Sequence, residues 1–338
     1  MKAERYQEDL LNGAVAPGLF LEEAMSAGRP IDSYTTLDFL RMLLSTKRPC
    51  IYAESDAFLD GSDWNSLEME ILGDISVACR STIFDDGTHI NPSVHLEPFR
   101  STLLFTPGAL IRTKLDNSPD KHEITDGLRL NCEMFYELYR RRLAPVFKYA
   151  NDQAKSRGIR ALITVPGLGC GQFAGSFKGT LGVELERALV VLLEGGHYDS
   201  IETVIYDPYD ESKDSDRVVN GVRFVTAPFS RSSKPTAQLA HPKTLNKMVA
   251  DVNSVMHFSV VAWDHLSWPG NDFYQGNRAT DDGVKGAASD LMRQMTGVAG
   301  SYCDHLNQYL PPKPYKNWDA VVRERHLVFG KGAVVDVY

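Results

Sequence analysis

The spacing of apolar and polar positions changes near residue 160. Before that point apolar residues recur every three or four positions, the spacing that puts side chains on one side of a helix. Over residues 33–45, Leu37, Leu40 and Leu44 share a face, and the stretch runs out in Lys47-Arg48-Pro49, a basic end followed by a residue that cannot continue a helix. Residues 130–157 predict a longer helix, with Phe135, Leu138, Tyr139 and Arg142 on one face and Gly158 as its stop. Beyond residue 160 the runs shorten: Ala161-Leu162-Ile163-Thr164-Val165, Thr203-Val204-Ile205-Tyr206, Val222-Arg223-Phe224-Val225 and Phe258-Ser259-Val260-Val261-Ala262-Trp263. Short apolar runs alternating with helical stretches predict an α/β fold with a largely parallel sheet. Residues 179–194, ended by Gly195-Gly196, and 282–296, ended by Gly297, predict two of the intervening helices. Residues 101–105 add one earlier strand.

No repeat, low-complexity tract or long linker divides the 338 residues, and two organisations remain open. The chain is one compact unit, or it is a mostly helical region over 1–100 followed by an α/β core over 101–338. An apolar content of 43%, a charged content of 24% and a net charge of −8 fit a globular protein and argue against nucleic acid as a partner. No apolar run is long enough to span a membrane, so no membrane partner is expected either. The charged start, Met1-Lys2-Ala3-Glu4-Arg5, carries no apolar leader. Five scattered cysteines (Cys50, Cys79, Cys132, Cys170, Cys303) show no metal-type spacing; they predict reduced, mostly buried thiols, a cytosol-like compartment and no structural metal.

Two loops carry the candidate chemistry. The first, Pro166-Gly167-Leu168-Gly169-Cys170-Gly171-Gln172-Phe173-Ala174-Gly175, follows a strand. Without Cβ atoms the backbone N–H groups can close on an anion, and phosphate is the anion this geometry favours; a plain strand-to-helix turn explains the same glycines about as well. Neither familiar phosphate loop fits. Lys178 follows Gly175 too late for a Walker A loop, and Ala174 stands where a dinucleotide fingerprint needs its third glycine. The second loop follows the strand ending at Trp263 and gathers Asp264, Trp268, Asn271, Asp272, Phe273, Tyr274, Asp281, Asp282 and Gly283. Helix capping accounts for Thr280-Asp281-Asp282-Gly283, but not for that cluster together with the aromatics. Both loops leave the carboxyl ends of presumed parallel strands, so they open on one edge of the sheet and can share a cleft.

The first loop resembles the diphosphate loop of the macrodomain family, P-A-I-G-T-G-I-[YF]-G, at Pro166, Gly169, Gly171 and Phe173, with Ala174 in place of the last glycine. Gly283-Val284-Lys285-Gly286-Ala287-Ala288 resembles the end of that family's distal-ribose segment, with Lys285 where an aspartate is usual and with the two segments in reversed order. Trp263-Asp264, Pro269-Gly270-Asn271-Asp272 and Thr280-Asp281-Asp282-Gly283 look like the MavL branch of the family, effectors that hydrolyse ADP-ribose from an arginine of ubiquitin. The resemblance implies a macrodomain-like mixed sheet flanked by helices with an additional N-terminal helical region. It implies ADP-ribose and ADP-ribosylated ubiquitin as partners, the host cytosol as the place of action of a secreted effector, and no cofactor. Gly169, Cys170, Gly171, Gln172 and Phe173 would wrap the diphosphate, while Asn271, Phe273, Asp281 and Gly283 would join them in binding substrate.

An N-glycosidic bond breaks through an oxocarbenium-like state, which suits paired carboxylates. Asp282 is expected as base or electrostatic group at the ribose, Asp272 as its partner on ribose or guanidinium, and Asp264 as an orienting or substrate-binding carboxylate. Three alternatives stand beside this one: a reader that binds without cleaving, a Mg²⁺-dependent hydrolase using the same aspartates, and an enzyme on free or poly(ADP-ribose). Glu184 and Glu186 are read against the last, as a solvated helix face. Trp268 and Tyr274 either contact the ligand or anchor the loop.

Overall fold

The computed structural model describes residues 2–47, 64–112, 118–208, 213–227, 238–245, 255–275 and 278–327; Met1, Arg48, Pro49 and Cys50 of the readings above lie outside them. Helices α1 (Lys2–Leu11), α2 (Leu19–Ala27), α3 (Thr36–Ser45) and α4 (Ser66–Gly73) come first, followed by β1 (Val77–Asp85) and β2 (Val94–Pro107). Next come α5 (Pro119–Ile124), a small hairpin of β3 (Thr125–Asp126) and β4 (Arg129–Leu130), α6 (Cys132–Lys155), β5 (Arg160–Pro166) and α7 (Leu181–Gly195). The chain continues through β6 (Ile201–Asp207), β7 (Ser215–Val219), β8 (Val222–Thr226), β9 (Val255–Trp263), α8 (Asp281–Ala287) and α9 (Leu291–Thr296). A second hairpin of β10 (Ser301–Cys303) and β11 (Gln308–Leu310) precedes α10 (Trp318–Glu324).

The central sheet runs β1-β2-β9-β5-β6-β8-β7. Its five inner strands are parallel, and β1 and β7 close the two edges antiparallel. Alternation along the strands sorts the core into two layers. Leu103, Phe105, Val261 and Trp263 face the first core with Phe39, Leu43 and Trp64 from the N-terminal segment. Leu104, Phe258, Val260, Ile163 and Val165 face the second, against α6 and α7. The predicted face of α6 is buried as expected, with Phe135, Leu138, Tyr139 and Arg142 all inaccessible.

Four differences from the sequence reading have local causes. Strand β1 lies within the stretch read as helical, and the division at residue 100 cuts β2; edge strands with a polar face carry a weak periodic signal. For the same reason β7, Ser215-Asp216-Arg217-Val218-Val219, escaped notice. The stretch read as one helix over 282–296 is two, α8 and α9. The Phe84 N–H donates to the Ala288 carbonyl (2.7 Å) and the Thr82 N–H to Asp290 Oδ1 (2.6 Å), drawing residues 288–290 out of the helix toward β1. In α3 the buried side is Phe39, Met42, Leu43 and Leu44, with Leu37 and Leu40 half-buried. Of the described cysteines, Cys79 and Cys170 are buried and Cys132 and Cys303 only partly so; all four are free thiols.

Candidate functional site

Strand β9 is the last of the sheet in sequence but sits between β2 and β5. Its insertion brings the carboxyl ends of β2, β9, β5 and β6 together, with Pro107 opposite Trp263 and Pro166 opposite Asp207. A cleft of about 680 Å³ opens over them, within the roughly 300–1,000 Å³ of small-molecule sites. Both candidate loops line it.

The glycine loop is braced from behind. Tyr139 of α6 donates its hydroxyl to the Leu168 carbonyl (2.6 Å) and accepts the Ala109 N–H (3.1 Å). Gly169 has φ +71°, and a Cβ there would stand 2.8 Å from both Ala109 N and the Tyr139 hydroxyl, so both conformation and space require glycine. The Phe173 carbonyl accepts the N–H groups of Ile111 and Arg112 (2.9 and 2.8 Å). Ala174 stands where the family loop has its last glycine, and the positive φ at this end of the loop falls at Gly175 (φ +55°). Among the described residues the N–H groups of Gly171, Gln172 and Phe173 meet no protein acceptor, leaving three donors in succession beside the cleft, a nest suited to an anion.

The carboxylate loop is anchored by its aromatics. Trp268, Phe273 and Tyr274 are buried in the first core, and Trp268 and Tyr274 meet edge to face with centroids 6.5 Å apart; they fasten the loop and do not line the cleft. Gly286 of α8 lets Phe273 close in, for a Cβ there would lie 2.9 Å from the Phe273 Cβ. Asp282 Oδ2 accepts the N–H groups of Gly270 (3.1 Å) and Asn271 (3.0 Å), and Oδ1 accepts the Thr280 hydroxyl (2.9 Å). Thr280 also caps α8. Burial, then the charge of Asp272, pushes the Asp282 carboxyl up to about 7, against the pull of these hydrogen bonds. Asp272 is 5% exposed, lines the cleft, and accepts no hydrogen bond from the described residues.

The other polar members of the loop are engaged in holding it. Asp281 Oδ2 accepts the Ala262 N–H (2.8 Å) and the Lys285 ammonium (2.9 Å). Lys285 is itself buried and also donates to the Val260 carbonyl and Gln238. Asp264 forms an Asx turn, accepting the Leu266 N–H (2.9 Å) and the Ser267 hydroxyl (3.2 Å). Beyond the loop, Arg278 donates to both oxygens of Asp85 (3.0 and 2.9 Å) and to the Thr88 carbonyl (2.9 Å), tying the returning chain to the end of β1.

Of the residues singled out from sequence, Gly169, Gly171, Gln172, Phe173, Asp264, Asn271, Asp272, Asp281 and Asp282 line one cleft. Cys170, Phe273 and Gly283 do not. The Cys170 N–H is taken by the Gly167 carbonyl (3.1 Å) and its thiol is buried; Phe273 points into the core; the Gly283 N–H serves the Thr280 cap. Glu184 and Glu186 lie away from the cleft as expected, yet they are not solvated. Their side chains are only 17% and 16% exposed and paired with Arg187 and Arg217. Sequence reasoning missed Gly108, Arg112, Asp207 and Gln238, which also line the cleft. Asp207 ends β6 and Arg112 follows β2 on the same edge of the sheet, a signal available once the strand order is known. Among the described residues no three His, Cys, Asp or Glu side chains gather as a metal site.

A mixed sheet with parallel inner strands, opening a glycine loop and a distal acidic loop on one edge, defines a macrodomain, a fold of the ADP-ribose-binding class. The chain matches the family model described as macrodomain effector MavL over residues 1–315 and belongs to that family. The match takes in the N-terminal helices as well as the sheet. No curated protein matches the chain.

Proposed function

We propose that this protein hydrolyses the N-glycosidic bond between ADP-ribose and an arginine side chain of a protein, with ubiquitin the carrier that the family resemblance implies. What carries the reading is the pairing, in one cleft, of three unengaged backbone donors with the carboxylates of Asp272 and Asp282. The donors at Gly171, Gln172 and Phe173 take the diphosphate, which directs the distal ribose toward the carboxylate loop.

At the ribose, Asp282 acts as base and Asp272 as its partner. A carboxyl held near 7 is suited to exchanging a proton at neutral pH. Asp282 takes a proton from the water whose oxygen bonds to C1″ as the bond from C1″ to nitrogen breaks. The departing guanidine takes up the proton that Asp282 removed from the water, which restores the Asp282 carboxylate, and leaves as guanidinium; Asp272 ion-pairs with that cation. The same negative charge favours the oxocarbenium-like state. A serine ether or glutamate ester brings no cation, and this supports arginine as the linkage. Asp264, locked in its turn, orients the approach.

The test is to incubate the protein with arginine-ADP-ribosylated ubiquitin and with serine- and glutamate-linked controls, following free ADP-ribose and intact protein mass. Release from the arginine substrate alone, unchanged by EDTA, is the expected outcome. ADP-ribose binding by calorimetry without release from any substrate would make the protein a reader.

A further inference from the structure

Lys47 follows α3 and ends inside the molecule. Its backbone N–H bonds to the Leu44 carbonyl (3.1 Å), and its neighbour Thr46 accepts the indole N–H of Trp64 (2.9 Å), which fixes the segment. The Lys47 side chain is fully buried, and Nζ meets no hydrogen-bond acceptor among the described residues. The ammonium lies 4.5 Å from the centre of the Trp263 ring. Trp263 ends β9 and is followed directly by Asp264, on the wall of the cleft.

A buried, unbonded ammonium is costly to hold, and a cation–π contact offsets only part of that cost. Among the described residues the charges around it come from the carboxylate loop, α6 and the turn after α4. Burial pushes the Lys47 ammonium down to about 7, with Asp264 working to keep it charged. His265, next to Asp264, is held neutral by burial and then by the positive charges of Lys47 and of Arg142 on α6, against the pull of Asp74 after α4. Arg142 spends its charge on Asp120 (2.6 Å) and Asp74 (3.4 Å). Lys47 and Asp264 are thus coupled by charge, the carboxylate favouring the ammonium.

We propose that Lys47 is a positioning residue for the carboxylate loop: its ammonium, laid on Trp263, keeps Asp264 ionised and oriented, which makes the N-terminal helical layer part of the active site. The inference rests on the hydrolase reading for its kinetic consequences, but its electrostatic core stands apart from turnover. Trp263, Leu266, Trp268 and Tyr274 share one continuous core with Phe39, Leu43 and Trp64 of the N-terminal segment, so the layer that carries Lys47 cannot shift independently of the loop.

The experiment uses the full chain with Lys47→Met, Lys47→Arg, Asp264→Asn and the Lys47→Met/Asp264→Asn double variant. The first readout is the ¹³C titration of the Asp264 carboxyl. Lys47→Met is expected to raise its midpoint by at least one pH unit and Lys47→Arg to keep it; an unmoved midpoint in Lys47→Met overturns the proposal whether or not the protein turns over any substrate. The second is kcat and KM at pH 6.5 on arginine-ADP-ribosylated ubiquitin. Lys47→Met should lower kcat/KM at least tenfold and leave ADP-ribose affinity unchanged, Lys47→Arg should restore it to within threefold, and the double variant should be no worse than Asp264→Asn. Losses that multiply in the double variant overturn the coupling. Should Lys47→Met fail to fold, Lys47→Arg decides through the pH profile. Its decline in kcat/KM above pH 7 should move upward relative to the wild type, and an identical decline overturns the proposal. A wild type that releases no ADP-ribose while the Asp264 midpoint shifts as expected would sink the hydrolase reading and spare this one.

Discussion

The glycine loop and the carboxylate loop leave neighbouring parallel strands and face each other across one cleft, yet they are built from different materials. Residues 166–175 present backbone: three N–H groups, a positive-φ glycine at Gly169, and a brace from Tyr139 that spends no charge. Residues 264–282 present side chains, and two of them, Asp272 and Asp282, are buried close enough for one to raise the other's proton affinity. A nest of amides holds an anion without pH dependence and is ready before the ligand arrives. A pair of buried carboxylates is costly to keep and sensitive to pH, which is what a proton-transferring site requires. The contrast teaches that affinity and turnover in this protein should separate by loop.

The separation can be broken most sharply at Asp282. Asp282→Asn preserves an acceptor for the Gly270 and Asn271 amides and should lower kcat by about 10²–10⁴, the range for loss of a general base, with ADP-ribose affinity within threefold of wild type by calorimetry. An equal loss of affinity would show that the two loops are not independent. Gly169→Ala works from the other side. The positive φ and the 2.8 Å approach to Ala109 and Tyr139 should weaken ADP-ribose binding by about tenfold or more, from strain on the order of 1–3 kcal/mol, and lower the melting temperature. Gly286→Ala, by pressing on the Phe273 Cβ, displaces the turn bearing Asp272; kcat should fall several-fold, with affinity less affected.

A subtler effect concerns stability. The Asp282 carboxyl titrates near 7 in the folded chain against an ordinary 3.8, so between those values the native state binds a proton that the unfolded state releases. Wild-type stability should therefore fall as pH rises from about 4 to 7. Asp282→Asn removes this contribution, and its denaturant midpoint relative to wild type should climb over that interval and level off above it. A flat difference would mean that Asp282 is not a buried acid. The smallest effect belongs to Glu184→Gln, on the helix after the glycine loop but paired outward with Tyr136 and Arg187; turnover and affinity should stay within twofold.

The inner strands were legible because β5, β6, β8 and β9 are buried nearly throughout and read as continuous apolar runs. The two edge strands were not, since each shows polar residues to solvent. The candidate site was legible where composition is unusual: glycines clustered after Val165, aspartates clustered after Trp263. Cys170 and Phe273 were drawn into it by adjacency alone, which cannot tell a side chain facing the cleft from one that plugs the core. Arg112 and Gln238 left no local pattern to find.

By itself the sequence determined the kind of fold and pointed to the glycine loop and the aspartate loop as the candidate site, because those depend on local periodicity and on residue chemistry. Only the tertiary structure decided that β9 enters between β2 and β5, that Asp272 and Asp282 share one charge environment, that Lys285 turns to Asp281, and that the Lys47 ammonium lies on the Trp263 ring. Each of these joins residues distant in sequence or sets a burial. Both follow from how layers pack, which no local window of the chain contains.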